Sequence, residues 1–339
     1  MRRRALVFTG PRRISVIEEE IGSPPSGALL VRTRVSAISA GTERLAFRGQ
    51  LPADVPLDET LPALASEGGR AGWTFPFRFG YAAVGEVIGV GDGVAASDWI
   101  GRRVFSFQPH GSAFFVAADE AWPVPDGIDW EKAALLANAE TAVNLILDAG
   151  PRVGERVAVF GQGVVGLLAT ALLARFPLHT LVVVDRVASR AAHGRALGAH
   201  AVTASLDGAR AALGDAGADL AFELTGNPQV LNDALVVTGR EGRVVVGSFY
   251  GSKQSAVDLG GHFHRGRIAI VSSQVSHIAP ALTGRWNRQR RRDVAWQLLR
   301  RVDSAALISH RFPIGEAAAA YALLDTDAPA ALQVLFTYD

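Results

Sequence analysis

The spacing of apolar positions changes along the chain and predicts two kinds of architecture. Before residue 125, short apolar runs are separated by Gly, Pro and Asp, which predicts a β-rich region. These runs are 5–8, 29–36, 83–90, 103–107 and 114–116. From 155 to 275, apolar runs alternate with Ala-rich segments of helical spacing, which predicts a doubly wound parallel sheet. These runs are 157–160, 181–184, 220–224, 243–246 and 268–271.

Outside these runs, the pattern predicts three helices, one of them an Arg-rich amphipathic helix at 285–302, and also a strand and a long insertion. Asp129 is expected to be the N-cap of a helix, and residues 314–324 are expected to form an Ala-rich helix before a final strand at 333–337. Residues 48–79 form a long irregular insertion, of a length that is often functional. The aromatic residues at its end, 73–79, are expected to help form a partly apolar pocket.

A glycine-rich turn follows the first apolar run of the predicted parallel sheet. Gly161, Gly163 and Gly166 form the pattern G-x-G-x-x-G, and a helical pattern follows directly. Gly161 allows the tight turn, Gly163 lets the backbone approach a pyrophosphate, and Gly166 lets the helix pack on the strand. The start of the helix, with Val164 and Val165, presents unpaired N–H groups to the phosphates. The turn therefore predicts a dinucleotide-binding site.

The next apolar strand ends in an acid, Asp185, followed by Arg186. Asp185 can accept hydrogen bonds from a ribose diol and repels a 2′-phosphate, whereas Arg186 can stack on adenine or tolerate that phosphate. Because the acid comes first, we expect NAD rather than NADP. Further cofactor contacts are expected at the later strand ends, where ligands bind to open α/β sheets. They are Thr225, Gly247, Ser248 and Ser273.

Composition narrows the class of protein. The 339 residues are 49% hydrophobic and 20% charged, with a net charge of +1, which fits a two-domain globular protein without a nucleic-acid or membrane partner. The arginines within 285–292 are expected to form a solvated helix face, with Trp286 and Trp296 packed inward. The chain has no cysteine, which excludes disulfides and a thiolate metal site. It has no run of membrane-spanning length and no secretory signal pattern, so we expect a cytoplasmic protein.

Several motifs, in order along the chain, resemble those of the medium-chain dehydrogenase/reductase superfamily. Residues 38–43 resemble its I-C-G-T-D turn, and residues 79–85 resemble its P-G-H-E-x-x-G segment. Further matches lie at 123–127, 141–142 and 224–228. The resemblance covers nearly the whole chain, and it implies an oxidoreductase that acts on a small-molecule substrate.

The same resemblance implies a domain organisation and an assembly. It implies an α/β fold, with a GroES-like β-barrel domain over 1–125 and 308–339 and a Rossmann NAD-binding domain over 126–307. It also implies a homodimer that forms through the edge strand near 268–271.

Departures from the family pattern concern the metal. Ala40 and Tyr81 stand where zinc-dependent members have a cysteine and a histidine ligand, and Ala82 replaces the adjacent glutamate. Zinc takes S, N or O ligands in a tetrahedral set, which these residues do not supply. We therefore expect no metal site. The G-T-E and G-Y segments resemble those of the bacteriochlorophyllide-type dehydrogenases.

Without zinc, protein hydroxyls must manage the substrate oxygen. By the resemblance, Thr42 stands where a hydroxyl passes the substrate proton outward; alternatively, it is a turn threonine that bonds nearby backbone. Tyr81 could donate a hydrogen bond or a proton to the substrate oxygen, or it could fill the space of the missing metal.

Two carboxylates complete the catalytic candidates. Glu43 could hold a substrate hydroxyl, or it could form a partly exposed ion pair with Arg44 or Arg48. Glu140 could be a base with a raised pKa, or it could be a solvated charge on a helix.

Four of the eight histidines lie in predicted loops or at strand ends and are expected at the surface or at the edge of the cofactor. His262 and His264 would share one face of a strand, but no third metal ligand accompanies them. The other two are His110 and His277.

These features predict a zinc-independent, NAD(H)-dependent dehydrogenase that acts on a secondary alcohol or a ketone. Two alternatives stay open. One is an NAD(P)H-dependent enone or quinone reductase on the same scaffold, and the other is a non-catalytic NAD-binding protein.

Overall fold

The computed structural model describes residues 1–52, 73–303, 306–326 and 331–339. The chain divides into two units. Unit 1 consists of Met1–Ala137 with Asp303–Asp339, and unit 2 is Asn138–Val302. Unit 1 extends past the predicted boundary at 125, because a short helix at Trp130–Ala133 packs against two strands of this unit.

Fifteen strands are present in the described ranges. They are β1 Arg2–Gly10, β2 Arg13–Glu20, β3 Ala28–Ile38, β4 Ala83–Val90, β5 Arg103–Ser106, β6 Ala113–Ala117, β7 Trp122–Pro123, β8 Arg156–Phe160, β9 Thr180–Val184, β10 Ala201–Thr203, β11 Ala218–Glu223, β12 Thr238–Val246, β13 Ala269–Ser272, β14 Ile308–Pro313 and β15 Gln333–Thr337. All eleven apolar runs predicted as strands occur, whereas β2, β7, β10 and β14 were not predicted.

Eleven α-helices accompany them in the same ranges. They are α1 Ala40–Arg48, α2 Ala96–Trp99, α3 Trp130–Ala133, α4 Leu136–Ala149, α5 Val164–Leu173, α6 Ala188–Ala196, α7 Leu206–Leu213, α8 Val230–Val237, α9 His262–Gly266, α10 Arg288–Arg301 and α11 Ala317–Asp325. Asp129 caps α3 as predicted, since its side chain accepts a hydrogen bond from the Lys132 amide at 2.7 Å. No helix of the described ranges is long and apolar enough to cross a membrane.

Unit 1 contains a two-stranded sheet, β1–β2, and a seven-stranded sheet. The larger sheet has the order β14-β15-β3-β4-β5-β7, and β6 also pairs with β3. The C-terminal strand β15 pairs antiparallel with β3, so the end of the chain returns to the first unit as predicted. Its core includes Phe8, Leu45, Tyr321 and Phe336.

Unit 2 is a six-stranded sheet with the order β10-β9-β8-β11-β12-β13, in which every pair is parallel. Read in chain order this is 3-2-1-4-5-6, the Rossmann arrangement. Val157 and Val159 of β8 enter one hydrophobic cluster, while Ala158 and Phe160 enter another. Alternate residues of a strand point to opposite faces, so both faces of the sheet are covered. The predicted fold class is confirmed.

Candidate functional site

The glycine turn between β8 and α5 has the geometry of a dinucleotide cradle. Gly161 has a φ of +94°, and a Cβ there would lie 2.8 Å from the carbonyl carbon of Leu224. A Cβ on Gly166 would lie 2.0 Å from the carbonyl oxygen of Gly161. The turn therefore requires glycine at 161, and the packing of the helix on the strand requires it at 166, which are the roles predicted for them.

Gly163 differs from its two neighbours, because a Cβ there would meet nothing within 4 Å. It is the N-cap of α5, and no side chain caps that helix. The first backbone N–H groups of α5, including those of Val164 and Val165, have no acceptor within the helix. An uncapped helix start with no side chain in front of it suits a pyrophosphate. A nicotinamide dinucleotide thus fits the residues present.

Asp185 is held beside the cradle at the end of β9. Its side chain is buried, and its two carboxylate oxygens accept hydrogen bonds from the amides of Gln162 at 2.7 Å and Val187 at 2.8 Å. A carboxylate has further lone pairs, so it can still accept bonds from a ribose. Arg186 is exposed. The carboxylate is thus fixed in position by backbone groups.

The ends of β11 and β12 are joined by a buried acid that the sequence prediction missed. Glu223 is 0% exposed and accepts hydrogen bonds from the hydroxyls of Thr225 and Tyr250, each at 2.5 Å. Burial raises the pKa of Tyr250, and the bond to Glu223 and its charge raise it further. Ser248 accepts a bond from the Gly226 amide at 2.8 Å. An acid at the end of an apolar strand was the available signal.

Gly247 and Ser273 lie at the ends of β12 and β13. A Cβ on Gly247 would meet the Leu145 side chain at 2.6 Å, so helix packing requires a small residue there. The Ser273 hydroxyl donates to Asp148 at 2.6 Å. Its hydroxyl is therefore engaged within the protein.

Glu140 lies on α4, but the alternative of a solvated charge is wrong. The side chain is 2% exposed and lies 3.4 Å from Arg291. Burial raises the pKa of Glu140, although the nearby arginines oppose that shift. Arg291 is buried as well, which corrects the expectation that the arginines within 285–292 all lie on a solvated face; Trp296 packs inward as expected.

Three hydroxyls meet in unit 1 at the start of α1. Tyr81 donates a hydrogen bond to the hydroxyl of Ser39 and lies 3.3 Å from the hydroxyl of Thr42. All three side chains are partly exposed, as groups that touch a substrate must be. The structure thus brings together Thr42 and Tyr81, two of the predicted catalytic residues. Ser39, which was not predicted, joins them; we call these three side chains the hydroxyl cluster.

Glu43 lies behind the hydroxyl cluster and is 0% exposed. One carboxylate oxygen accepts a hydrogen bond from the Ser39 amide at 2.7 Å. The other accepts a hydrogen bond from the Tyr321 hydroxyl and lies 2.9 Å from His110 Nε2. The predicted alternative of a partly exposed ion pair with Arg44 or Arg48 is therefore wrong. A fully buried group with these partners acts through Ser39 rather than on a substrate.

His110 was expected at the surface or the cofactor edge, and it is buried in unit 1 instead. Its Nδ1 lies 2.7 Å from the Ser36 hydroxyl, which shares a second hydrogen bond of 2.7 Å with Tyr338. Burial and the bond to Glu43 raise the pKa of Tyr321. The result is a buried polar network whose titratable members are Glu43, His110, Tyr321 and Tyr338.

His262 and His264 belong to helix α9 rather than to a strand, so the predicted shared face is wrong. The His262 ring bonds the Thr238 carbonyl at 2.7 Å. His264 and His277 are exposed.

The unit 1 residues do not fit a zinc ion. Ala40 opens α1 without a donor atom, and the Tyr81 hydroxyl is directed to Ser39. Glu43 and His110 bond each other. Within the described ranges, no three His, Cys, Asp or Glu residues are placed to hold a metal ion.

The aromatic end of the insertion packs into unit 1. Phe77 stacks on Phe8 at 5.3 Å, and Trp73 contacts Phe79 edge to face at 4.9 Å. These rings pack against the unit 1 core. Residues 53–72 of the predicted insertion lie outside the described ranges.

Known proteins resemble this chain over most of its length. The family described as zinc-binding dehydrogenase matches residues 164–287. D-guloside 3-dehydrogenase of Escherichia coli (strain K12) is 27% identical over 313 residues, 87% of each protein. The 2-desacetyl-2-hydroxyethyl bacteriochlorophyllide A dehydrogenase of Cereibacter sphaeroides is 24% identical over 348 residues, 96% of each protein.

A solved structure shows the same fold. RspB of Escherichia coli CFT073, an alcohol dehydrogenase crystallised with NADH, has a TM-score of 0.77 and 21% identity over 99% of both chains. The family match at 164–287 does not include positions 40 and 81. It therefore says nothing about the positions where zinc ligands would stand.

Proposed function

We propose that this chain, which belongs to the medium-chain dehydrogenase/reductase superfamily, is a zinc-independent dehydrogenase that transfers a hydride between NAD(H) and a secondary alcohol or its ketone. The relatives and the fold support an oxidoreductase with a nicotinamide cofactor. The observation that carries the finer proposal is the hydroxyl cluster of Ser39, Thr42 and Tyr81, in which Tyr81 stands where, by the family resemblance, a zinc-dependent member has a histidine ligand.

Unit 2 supplies the cofactor site. When bound, the nicotinamide dinucleotide accepts or donates the hydride. The start of α5 beyond Gly163 is suited to the pyrophosphate, and Asp185 is suited to the ribose hydroxyls. A 2′-phosphate would place a second negative group against that carboxylate, which supports NAD over NADP.

Unit 1 supplies the groups that manage the proton. Oxidation of an alcohol to a ketone releases a hydride from carbon and a proton from oxygen, and the reverse reaction needs that proton back. The hydroxyls of Thr42 and Tyr81 can each donate to, and accept from, a substrate oxygen. Without substrate, Ser39 accepts the single Tyr81 hydrogen, so the phenol turns that hydrogen from Ser39 to the substrate oxygen when it donates. Glu43 in turn holds the Ser39 amide, so it is a positioning residue.

Purified enzyme tests this proposal directly. We expect turnover of secondary alcohols with NAD⁺ after metal analysis shows less than stoichiometric zinc, and no loss of rate with a chelator. Tyr81→Phe should lower kcat about 100-fold, because it removes a positioned proton donor, and it should leave the affinity for NADH unchanged. Stoichiometric zinc, or turnover only of quinones and enones with NADPH, would contradict the proposal. Tight NADH binding without turnover would favour a non-catalytic role.

We also propose a homodimer that forms through β13. Within the described residues, β13 is an edge strand of the unit 2 sheet, and its Ile270 side chain is 39% exposed. An open strand edge with an apolar side chain is a template for pairing with a second chain. Light scattering should give the mass of a dimer for the native chain and of a monomer for Ile270→Glu. A native monomer would refute this part.

A further inference from the structure

A second polar network lies in unit 2, where Glu140, Asn144 and Arg291 are buried and Asp148 and Ser273 are half-buried. It joins helix α4, helix α10 and the loop that follows β13. Its side chains are those of Glu140, Asn144, Asp148, Ser273 and Arg291. We call it the Arg291 network.

Arg291 connects all three elements. Its Nη1 donates to the Asn144 side-chain oxygen at 2.9 Å and to the Val275 carbonyl at 2.6 Å. Its Nε lies 3.4 Å from Glu140, and only 5% of the Arg291 side chain is exposed. One side chain of α10 thus ties a backbone carbonyl of the loop to helix α4.

The other contacts hold the same loop from α4. Asn144 donates to Asp148 at 2.8 Å and to the Gln274 carbonyl at 3.3 Å. The Ser273 hydroxyl donates to Asp148 at 2.6 Å. Three consecutive residues, 273–275, are therefore each fixed by at least one side-chain hydrogen bond.

The location of this loop gives the network a role. Carboxyl ends of parallel strands share one edge of the sheet, so the loop after β13 lies at the same edge as Gly161 and Asp185. In the sheet order, β13 lies on the opposite side of the switch point from β9. A dinucleotide that has its adenosine half at Asp185 extends across this edge toward the later strands.

Stability alone is a poor reason for burying these charges. Removing ionised groups from water is costly, and apolar replacements of similar volume are often as stable. Burial raises the pKa of Glu140 and of Asp148 and lowers that of Arg291, which shows how unfavourable the charged forms are here. The effect of the network is that the loop at residues 273–275 is fixed at several points.

We propose that Arg291 is a positioning residue for the nicotinamide half of the cofactor, because it helps to fix the loop at residues 273–275 against helix α4. The inference rests on the proposed function, since it requires a nicotinamide dinucleotide in unit 2. Arg291 does not contact the cofactor itself; it determines where the loop backbone presents its N–H and C=O groups.

Cofactor fragments separate this role from a general structural one. We would measure the binding of NADH and of ADP-ribose, which lacks the nicotinamide, by calorimetry for the native chain and for Arg291→Lys. Lysine keeps the charge beside Glu140 but cannot bridge Asn144 and Val275. We expect NADH to bind about tenfold more weakly, as for the loss of a charged hydrogen bond, and ADP-ribose within about twofold of native. Arg290→Met, on the exposed side of the same helix, is the matched control and should leave both affinities unchanged.

Each outcome decides the matter. Equal weakening of NADH and ADP-ribose, or no change in either, would overturn the role of Arg291 and leave the proposed function intact. A native chain that binds neither ligand would overturn the proposed function and this inference together. Ser273→Ala is a milder second variant if Arg291→Lys folds poorly. It should shift the fluorescence emission of bound NADH, which reports the surroundings of the nicotinamide ring, and an unshifted emission would count against the proposal.

Discussion

Removing the Glu43 carboxylate tests the buried network of unit 1. In Glu43→Ala, the Ser39 amide, His110 Nε2 and the Tyr321 hydroxyl all lose their acceptor. Because Glu43 is 0% exposed, water does not replace it without rearrangement. The variant therefore leaves several polar groups buried and unsatisfied.

The expected cost follows from these contacts. Each unsatisfied buried donor costs about 1–3 kcal/mol and three groups lose their acceptor, so we expect Glu43→Ala to destabilise unit 1 by about 4 kcal/mol. For a domain of this size 1 kcal/mol corresponds to about 2–4 °C, so the melting temperature of unit 1 should fall by about 8–16 °C.

Differential scanning calorimetry measures this shift, and Glu20→Ala is the control. The Glu20 side chain is 82% exposed, so its loss should change stability by less than about 0.5 kcal/mol. Glu43→Gln keeps an acceptor for the Ser39 amide and should fold well but turn over more slowly, with the affinity for NADH unchanged. If Glu43→Ala melts within a degree or two of Glu20→Ala, the reasoning about this network is refuted.

Three further outcomes are expected. A Cβ at Gly163 would meet nothing within 4 Å, so Gly163→Val should leave the melting temperature unchanged but weaken NADH binding about tenfold or more. A Cβ at Gly166 would lie 2.0 Å from a carbonyl oxygen, so Gly166→Ala should lower the melting temperature. Asp185→Asn removes the charge that opposes a 2′-phosphate, so the ratio of kcat/KM for NADP⁺ to that for NAD⁺ should rise about tenfold; an unchanged ratio would contradict the role of Asp185. Although burial opposes it, two arginine partners lower the pKa of Asp325; the stability this gives is present above the unfolded-state pKa of about 3.9 and is lost as pH falls through the folded-state pKa. Urea titrations should show native stability falling more steeply below about pH 4 than that of Asp325→Asn.

Local signals were sufficient for the Rossmann unit and for the cradle. The strands of unit 2 are continuous apolar runs, and the glycines at 161 and 166 have a steric reason to be where they are. Strand β2 was missed because most of its residues are at least partly exposed and its acidic end pairs with the arginines of β1. Pairing with β1, rather than the hydrophobic pattern of β2 itself, makes this segment a strand.

Contacts between distant residues account for the errors in the two sites. Glu43 and His110 are 67 positions apart, and Glu140 and Arg291 are 151 apart, so no local pattern pairs them. A finer use of helical spacing would have found part of the answer. Arg291 lies four and seven positions before the buried residues Ala295 and Leu298, which places it on the inward face of α10.

If the site is zinc-independent as proposed, the unit 1 network explains how it keeps its geometry. By the family resemblance, the acid at position 43 orients a metal-bound histidine in zinc-dependent members, and here that histidine position is Tyr81. A buried carboxylate without a partner is costly, so the loss of that histidine requires a new donor. His110 supplies one at 2.9 Å and Tyr321 supplies another. Glu43 therefore remains fixed and still holds the start of α1 through the Ser39 amide. In this chain it orients the Ser39 hydroxyl, which contacts Tyr81, instead of a metal ligand.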